Sequence, residues 1–390
     1  FAVTKTSFDV YELPKRAEVE SLAKQFYDIA AHRSPDFTVA EEWLAEAEKQ
    51  YPAIAARLSQ MILQPAAAQL GKKRVMIVAE GILQYIPFAA LPVAGKNSET
   101  NRFPTTDYRL LIQDHEIVSL PSASVLAVLR REVGERQSAA KALAVLGDPV
   151  FSKQDERVVA DAKTAEAEPA KPKLDSPGSI KALRQHLRRG TGNLAELSNL
   201  SRLRHTRQEA TAIAVLVAAD SRLLALDFDA SRELALSGQL SQYRIVHFAT
   251  HGLLDSATPD FSAVVLSLVG KDGKPQNGSL RLHEIYNLNL PAELVVLSAC
   301  ETGLGKDIKG EGLISLTRGF MYAGARRVLV SLWPVDDPAT AELMKRFYRG
   351  MLKENLTPSA ALKKAQTEMR KQPRWRSPFY WAGFVLQGEW

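Results

Sequence analysis

Two residues that could act together as a nucleophile and a base each follow a buried, strand-like run. His251 comes two residues after the run Ile245–Ala249, and Cys300, the one cysteine of the chain, directly follows the run Leu294–Ala299. A cysteine attacks a carbonyl carbon as its thiolate, and a nearby histidine can accept the thiol proton or protonate the leaving amine. Open α/β sheets bind ligands beyond the carboxyl ends of their strands. If the two strands are near neighbours, we expect His251 and Cys300 to face one crevice.

Backbone amides beside these residues could stabilise the oxyanion that forms when a carbonyl is attacked. Gly252 follows His251 directly, and a glycine lets a ligand approach its backbone closely. The N–H of Cys300, where the predicted strand gives way to a loop, is the natural second donor. The residue types therefore predict acyl transfer on a peptide bond, with no cofactor and no metal.

Other chemistries find less support in the sequence. A zinc site built from His247, His251, His283 and Cys300 is disfavoured, because four strand residues separate the Cα atoms of His247 and His251 by about 13 Å. We therefore expect His247 to be structural. The glycine-containing segment 303–307 lacks the first glycine and the Ser or Thr of a phosphate-binding loop. The chain also has no G-x-S-x-G motif of a serine hydrolase.

The composition is that of a folded protein without a membrane span. Of its 390 residues 46% are hydrophobic and 24% are charged, which allows a packed core and excludes wholesale disorder. The longest apolar run, 212–219, is far shorter than the ~18 residues of a transmembrane helix. A single cysteine and the lack of a signal pattern predict a reducing, cytoplasmic location. Because the chain starts at Phe1 rather than Met, we expect a fragment or a processed product.

Strand-like and helix-like segments alternate, which predicts an α/β fold with a mostly parallel sheet flanked by helices. We divide the chain into 1–151 with the N-terminal helices and first strands, 152–180 as a charged flexible linker or insertion, and 181–390 as a second α/β region. The linker assignment rests on residues 152–178, which contain no aromatic residue but five basic and six acidic ones.

A basic segment follows the predicted linker. Residues 181–210 hold seven Lys or Arg against two Glu, whereas the net charge of the whole chain is a mild +6. The simpler interpretation is a solvated helix face. The alternative is a patch that binds an activating protein or a nucleic acid, which would make binding depend on salt.

The motifs around His251 and Cys300 resemble those of a known family. The two residues lie 49 positions apart, close to the spacing of about 50 between the His and Cys of caspases. The segments HFATHG (247–252) and LSACETG (297–303) resemble the signature of CHAT peptidases, caspase-like domains often found with tetratricopeptide repeats. The likeness continues through four further segments, 74–92, 205–214, 310–337 and 377–388.

This resemblance implies a caspase-like fold, related to that of separases, with a degenerate caspase-like subdomain in 1–151 and an active one in 181–390. It implies that His251 and Cys300 form a catalytic dyad and that the substrate is a protein. It also implies control by a tetratricopeptide-repeat region, which these 390 residues do not contain, or by a separate activator.

Four residues are candidates for the pocket that holds the substrate residue before the scissile bond: Glu301, Trp333, Asp336 and Asp337. The two aspartates follow the predicted strand Val328–Leu332, and we expect Asp337 to cap the helix that starts near Pro338. By resemblance to separases, Asp336 would pair with a basic substrate residue, which favours Arg or Lys there. Glu301 would help to shape the cleft.

We therefore predict a cysteine endopeptidase that performs limited, regulated proteolysis. The alternative is a catalytically silent caspase-like scaffold that binds a partner through residues 181–210. Self-processing within 152–178 is a further hypothesis, because that segment offers Arg157 and four lysines in an exposed stretch.

Overall fold

The computed structural model describes residues 1–31, 41–71, 74–93, 109–133, 138–158, 200–253, 259–298, 312–333 and 336–389. Its strands are β1 (Ala2–Val3), β2 (Phe8–Asp9), β3 (Val75–Val78), β4 (Ile117–Leu120), β5 (Lys141–Pro149), β6 (Arg222–Asp227), β7 (Tyr243–Ala249), β8 (Gly252–Leu253), β9 (Ala263–Val265), β10 (Ser279–Arg281), β11 (Leu294–Ser298), β12 (Arg327–Ser331) and β13 (Phe384–Gly388). Its α-helices are α1 (Arg16–Ala30), α2 (Glu41–Ile62), α3 (Ala67–Leu70), α4 (Leu111–Asp114), α5 (Ala123–Val133), α6 (Arg204–Ala214), α7 (Arg232–Leu236), α8 (Leu282–Tyr286), α9 (Gly312–Tyr322), α10 (Asp337–Lys353) and α11 (Pro358–Arg370). Most of the predicted linker and residues 181–199 of the basic segment lie outside the described ranges.

Eight strands form one sheet in the order β3-β4-β13-β12-β11-β7-β5-β6. Every neighbouring pair is parallel except β12 and β13. All five residues of β11 are buried, as are eight of the nine in β5. Strands covered on both faces are near-continuous apolar runs, which is the pattern that the sequence shows. The predicted α/β class with a mostly parallel sheet flanked by helices is therefore confirmed.

The sheet joins strands from both sides of the predicted linker. β5 precedes the linker, yet it lies between β6 and β7, which follow it. The last strand, β13, pairs with β4, which also precedes the linker. A strand buried in eight of its nine residues, such as β5, needs hydrogen-bonding neighbours on both edges, and the later strands supply them. The division of the chain at residue 151 stays a prediction, but it is not a break in the sheet.

The helices nearest the site pack on the same region of the sheet. α6 contacts β5 and β6, and α10 packs against both α6 and α11. A smaller antiparallel sheet, β10-β9-β8, starts directly after the carboxyl end of β7. Within the described ranges no helix has the length and apolar character needed to span a bilayer.

Candidate active site

The strands that carry the two candidate catalytic residues are parallel neighbours. Ala249, the last residue of β7, lies opposite Ser298, the last residue of β11. The Thr250 N–H donates to the Ser298 carbonyl oxygen at 3.2 Å, so the pairing continues one residue beyond β7. His251 follows at the carboxyl edge of the sheet. The two strands are therefore neighbours, which is the condition set for a shared crevice, while Cys300 and Glu301 lie outside the described residues.

Contacts on the ring and on the backbone fix the orientation of His251, which is 6% exposed. Its Nε2 lies 2.8 Å from the Ser201 carbonyl oxygen. Its ring packs on Phe151, with 5.0 Å between the ring centroids. Its backbone oxygen accepts from the Val265 N–H at 2.9 Å. Because a carbonyl oxygen can only accept, the contact with Ser201 places a proton on Nε2 and makes Nδ1 the basic nitrogen of the neutral ring.

The backbone N–H of Gly252 points away from its partner strand. Gly252 pairs with Val264 in the antiparallel register of β8 and β9. The neighbouring pair, His251 and Val265, is hydrogen-bonded through the Val265 N–H. Hydrogen-bonded and non-hydrogen-bonded pairs alternate along an antiparallel ladder, so the Gly252 N–H faces the other side. The role of Gly252 as an oxyanion donor stays a prediction, and it requires an N–H that does not bind β9.

The helix cap predicted at Asp337 is formed instead by Asp336. The Asp336 carboxylate accepts from the Ala339 N–H at 2.9 Å, and α10 starts one residue earlier than expected, at Asp337. The Asp337 carboxylate accepts from the His205 N–H at 2.9 Å. Burial raises the pKa of Asp337 above its ordinary value, and the hydrogen bond from His205 offsets part of that rise. A backbone donor from α6, invisible in the local sequence, thus engages Asp337, and Asp336 forms the cap.

Trp333 belongs to the core rather than to a substrate pocket. Its side chain has no exposed surface, its ring lies edge-on to Tyr27 with 5.9 Å between centroids, and its Nε1 donates to the Phe379 carbonyl oxygen at 3.1 Å. A completely covered indole with its N–H satisfied cannot line a pocket. Of the four predicted pocket residues, Asp336 and Asp337 lie near the carboxyl edge of the sheet and stay candidates. Trp333 is not a pocket residue, and Glu301 lies outside the described residues.

His247 lies in the core beneath the site, as expected for a structural residue. Its side chain is completely buried, with Nδ1 2.9 Å from the Tyr348 hydroxyl and Nε2 2.9 Å from a Glu209 carboxylate oxygen. Burial raises the pKa of Tyr348 well above its usual value, and the Glu209 charge acts in the same direction. The described ranges contain no group of three His, Cys, Asp or Glu side chains placed to hold a metal ion.

A cluster of charged side chains at the carboxyl edge was missed in the sequence. Asp148 near the end of β5 and Asp227 at the end of β6 are bound by Arg157, Arg202 and Arg207. Burial raises the pKa of Asp227, but hydrogen bonds from Arg207 and Arg157 outweigh this and lower it. A carboxylate at the end of a buried strand requires a cationic partner, so these two aspartates indicated in the sequence that such partners exist. The sequence did not show which arginines they are.

This cluster corrects two expectations. The Arg157 side chain is 13% exposed and donates to the Asp227 carboxylate at 2.7 Å, so it is not an exposed processing site. Arg202 and Arg207, from the basic segment, bind Asp148 and so do not form a free basic patch, although the Arg207 side chain is 38% exposed. The stretch of the basic segment that the structure describes, 200–210, is therefore largely engaged within the protein.

The sequence is similar to curated proteins over a fraction of its length. Tetratricopeptide repeat protein 28 of Homo sapiens is 32% identical over 194 residues, covering 41% of this chain and 8% of that protein. The protein of the same name from Mus musculus is 38% identical over 105 residues, covering 27% of this chain and 4% of that protein. The chain thus spans less than a tenth of the length of these relatives.

Among solved structures, two of the Saccharomyces cerevisiae separase–securin complex are similar to this chain. One has a TM-score of 0.43 with 12% identity, covering 96% of this chain and 22% of that chain. The other has a TM-score of 0.41 with 12% identity, covering 97% and 23% respectively. The sequence model of the CHAT domain matches residues 52–389. This chain belongs to the CHAT domain family.

Proposed function

We propose that this CHAT domain is a cysteine endopeptidase in which Cys300 is the nucleophile and His251 carries the proton. The observation that supports this most directly is the placement of His251. It is held by the Ser201 carbonyl at the carboxyl edge of β7, beside a parallel strand that ends two residues before Cys300. Two residues of chain span at most about 7 Å, so the sequence position of Cys300 fits a dyad with His251.

In the proposed reaction His251 takes the proton of the Cys300 thiol, and the thiolate attacks the carbonyl carbon of a peptide bond. The new C–S bond forms, the oxyanion is stabilised by the Gly252 and Cys300 N–H groups, and the C–N bond then breaks. The His251 imidazolium gives its proton to the departing amine. Water then cleaves the thioester, with His251 taking the water proton, and releases the acid and the free thiol.

The competing function is a catalytically silent scaffold that binds a partner through the basic segment. Family membership does not decide between the two, because one fold can host different functions. The internal pairing of Arg202 and Arg207 reduces the free positive charge of the described stretch of that segment, which favours the peptidase.

The relatives' name suggests the setting in which the domain works. We propose that it acts together with tetratricopeptide repeats, in the same chain or a separate one, and that they or another activating protein or a nucleic acid control access to the site. A nucleophilic thiol must stay reduced, so we place the protein in the cytoplasm.

The single cysteine makes a direct test possible. Fluorogenic peptides with Arg, Lys, Leu or Asp before the reporter would be assayed in reducing buffer, before and after alkylation with iodoacetamide. We expect turnover of at least one peptide and its complete loss on alkylation. Turnover that survives full alkylation, verified by intact mass, would rule out Cys300 as nucleophile. Slow alkylation at the rate of an ordinary exposed thiol, with no turnover, would favour the scaffold.

Asp336 is expected to set the preference for a basic residue before the scissile bond. Asp336→Asn removes the charge while keeping a side chain that caps a helix about as well, so folding is preserved. We expect kcat/KM for Arg and Lys peptides to fall about 10- to 100-fold. The matched control is Asp337→Asn, whose carboxylate is engaged by His205. An unchanged preference for Arg and Lys in Asp336→Asn would assign the pocket elsewhere.

A further inference from the structure

His251 is connected to the buried carboxylate of Asp148 through the Ser201–Arg202 peptide group and the Arg202 side chain. The oxygen that contacts His251 Nε2 belongs to Ser201, and the nitrogen of the same planar peptide belongs to Arg202. The Arg202 side chain makes two hydrogen bonds to one carboxylate, from Nε to Asp148 Oδ1 at 2.9 Å and from Nη2 to Asp148 Oδ2 at 2.7 Å. Fixing the Arg202 side chain therefore restricts the peptide plane that orients His251.

Asp148 is a rigid anchor for this connection. Its side chain has no exposed surface, and its backbone lies in the left-handed region with a φ of 47°, which few non-glycine residues adopt. Arg207 Nε donates to Asp148 Oδ2 at 2.8 Å, and Arg157 donates to the Asp148 backbone oxygen at 2.7 Å. Because β5 pairs with β7, this anchor lies on the strand next to the one that leads into His251.

No regular secondary structure fixes the position of the Ser201 carbonyl. Residues 200–203 belong to no helix or strand, and Ser201 itself is exposed. Leu200 packs on the apolar cluster that includes Val150 and Phe151, and α6 begins at Arg204. The two-point hydrogen bond of Arg202 to Asp148 thus holds the centre of a short irregular segment, where a planar guanidinium gives more orientation than an ammonium would.

We propose that Asp148 and Arg202 are positioning residues for His251, acting through the Ser201 carbonyl. The expected loss of kcat rests on the proposed peptidase function, whereas the expected change in the orientation of the His251 ring does not. When the guanidinium is removed, the carbonyl is free to shift, and the ring loses its fixed orientation towards the nucleophile. A misplacement of about 1 Å in a catalytic group can cost on the order of 100-fold in rate.

The first readout is kinetic. Arg202→Gln is expected to lower kcat about 10- to 100-fold with KM changed less than about twofold, since the substrate does not contact Arg202 in the proposed role. Arg202→Lys keeps the charge but loses the two-point geometry, so we expect an intermediate kcat. The matched control is Arg232→Gln, which removes an equally buried arginine bound through two nitrogens to Glu284. An equal loss of kcat in Arg232→Gln would show a general effect of stability and would overturn the proposal.

The second readout does not require activity. The ¹⁵N shifts of the His251 ring, assigned with His251→Gln, report which nitrogen carries the proton. We expect one tautomer, protonated on Nε2, in the wild type and in Arg232→Gln, and a mixture in Arg202→Gln or Asp148→Asn. If wild-type protein shows no Cys300-dependent turnover, the peptidase proposal fails while this comparison still tests positioning. If the ring signals of folded Arg202→Gln or Arg202→Lys match those of the wild type, positioning is refuted even where hydrolysis is confirmed.

Discussion

Cys300→Ala is expected to reduce peptide hydrolysis to background, a loss in kcat on the order of 10⁴-fold or more. Alanine has no atom that can form the thioester, so neither the covalent intermediate nor its hydrolysis can occur. Any hydrolysis above the uncatalysed rate in this variant would come from substrate binding and the oxyanion donors alone. The measurement is kcat/KM on the best peptide of the panel, together with the mass of the acyl-enzyme trapped at short times.

The control for this substitution is Cys300→Ser, which replaces the thiol with a hydroxyl of similar size. A serine hydroxyl is far harder to deprotonate than a thiol, and we expect most of the activity to be lost in this variant also. Thermal unfolding of both variants would show that the loss is chemical. Wild-type turnover by folded Cys300→Ala would remove the dyad from this protein, and the scaffold function would take its place.

His251→Gln is expected to lower kcat by about 10²- to 10⁴-fold, the usual contribution of a general acid or base. Glutamine keeps an N–H that can donate to the Ser201 carbonyl, so the local hydrogen bond can survive while the titratable ring is lost. The rate of thioester formation should fall together with kcat, because the leaving amine is no longer protonated. Rapid-quench measurement of the first turnover would separate this step from product release.

A histidine outside the site provides the comparison. His283 is exposed on α8, and it was one member of the disfavoured zinc set. His283→Gln should leave kcat unchanged if the chemistry uses the dyad. Equal losses in His251→Gln and His283→Gln, restored by added zinc, would point to a metal site instead. Full activity of His251→Gln would show that another group moves the proton.

The central strands could be predicted from the sequence because their signal is local. The apolar runs that became β5, β7 and β11 are buried on both faces, and burial of this kind requires little but continuous hydrophobicity. The position of His251 beyond the end of β7 follows from counting residues. The motifs around it likewise identified the CHAT family, which the match over 52–389 confirms.

The order of the strands was decided only in the tertiary structure. β5 is inserted between β6 and β7, and β13 returns from the end of the chain to pair with β4. Which strands pair depends on contacts between residues far apart in sequence. The local sequence pattern does not show the stabilisation that those contacts provide. For this reason the sequence favoured a division at residue 151, although strands from both sides of that residue belong to one sheet.

The choice of partner for each polar side chain was also a tertiary decision. The sequence favoured Asp337 as the cap of α10, but the His205 N–H engages Asp337 and Asp336 forms the cap. Trp333 follows a strand just as a pocket residue would, but Tyr27 and the Phe379 carbonyl enclose it. The sequence by itself determined the strands, the family and the residues capable of chemistry. Only the folded chain decided which carbonyl orients His251 and which carboxylate anchors Arg202, because a buried polar group must be satisfied by whatever donor or acceptor the fold brings to it.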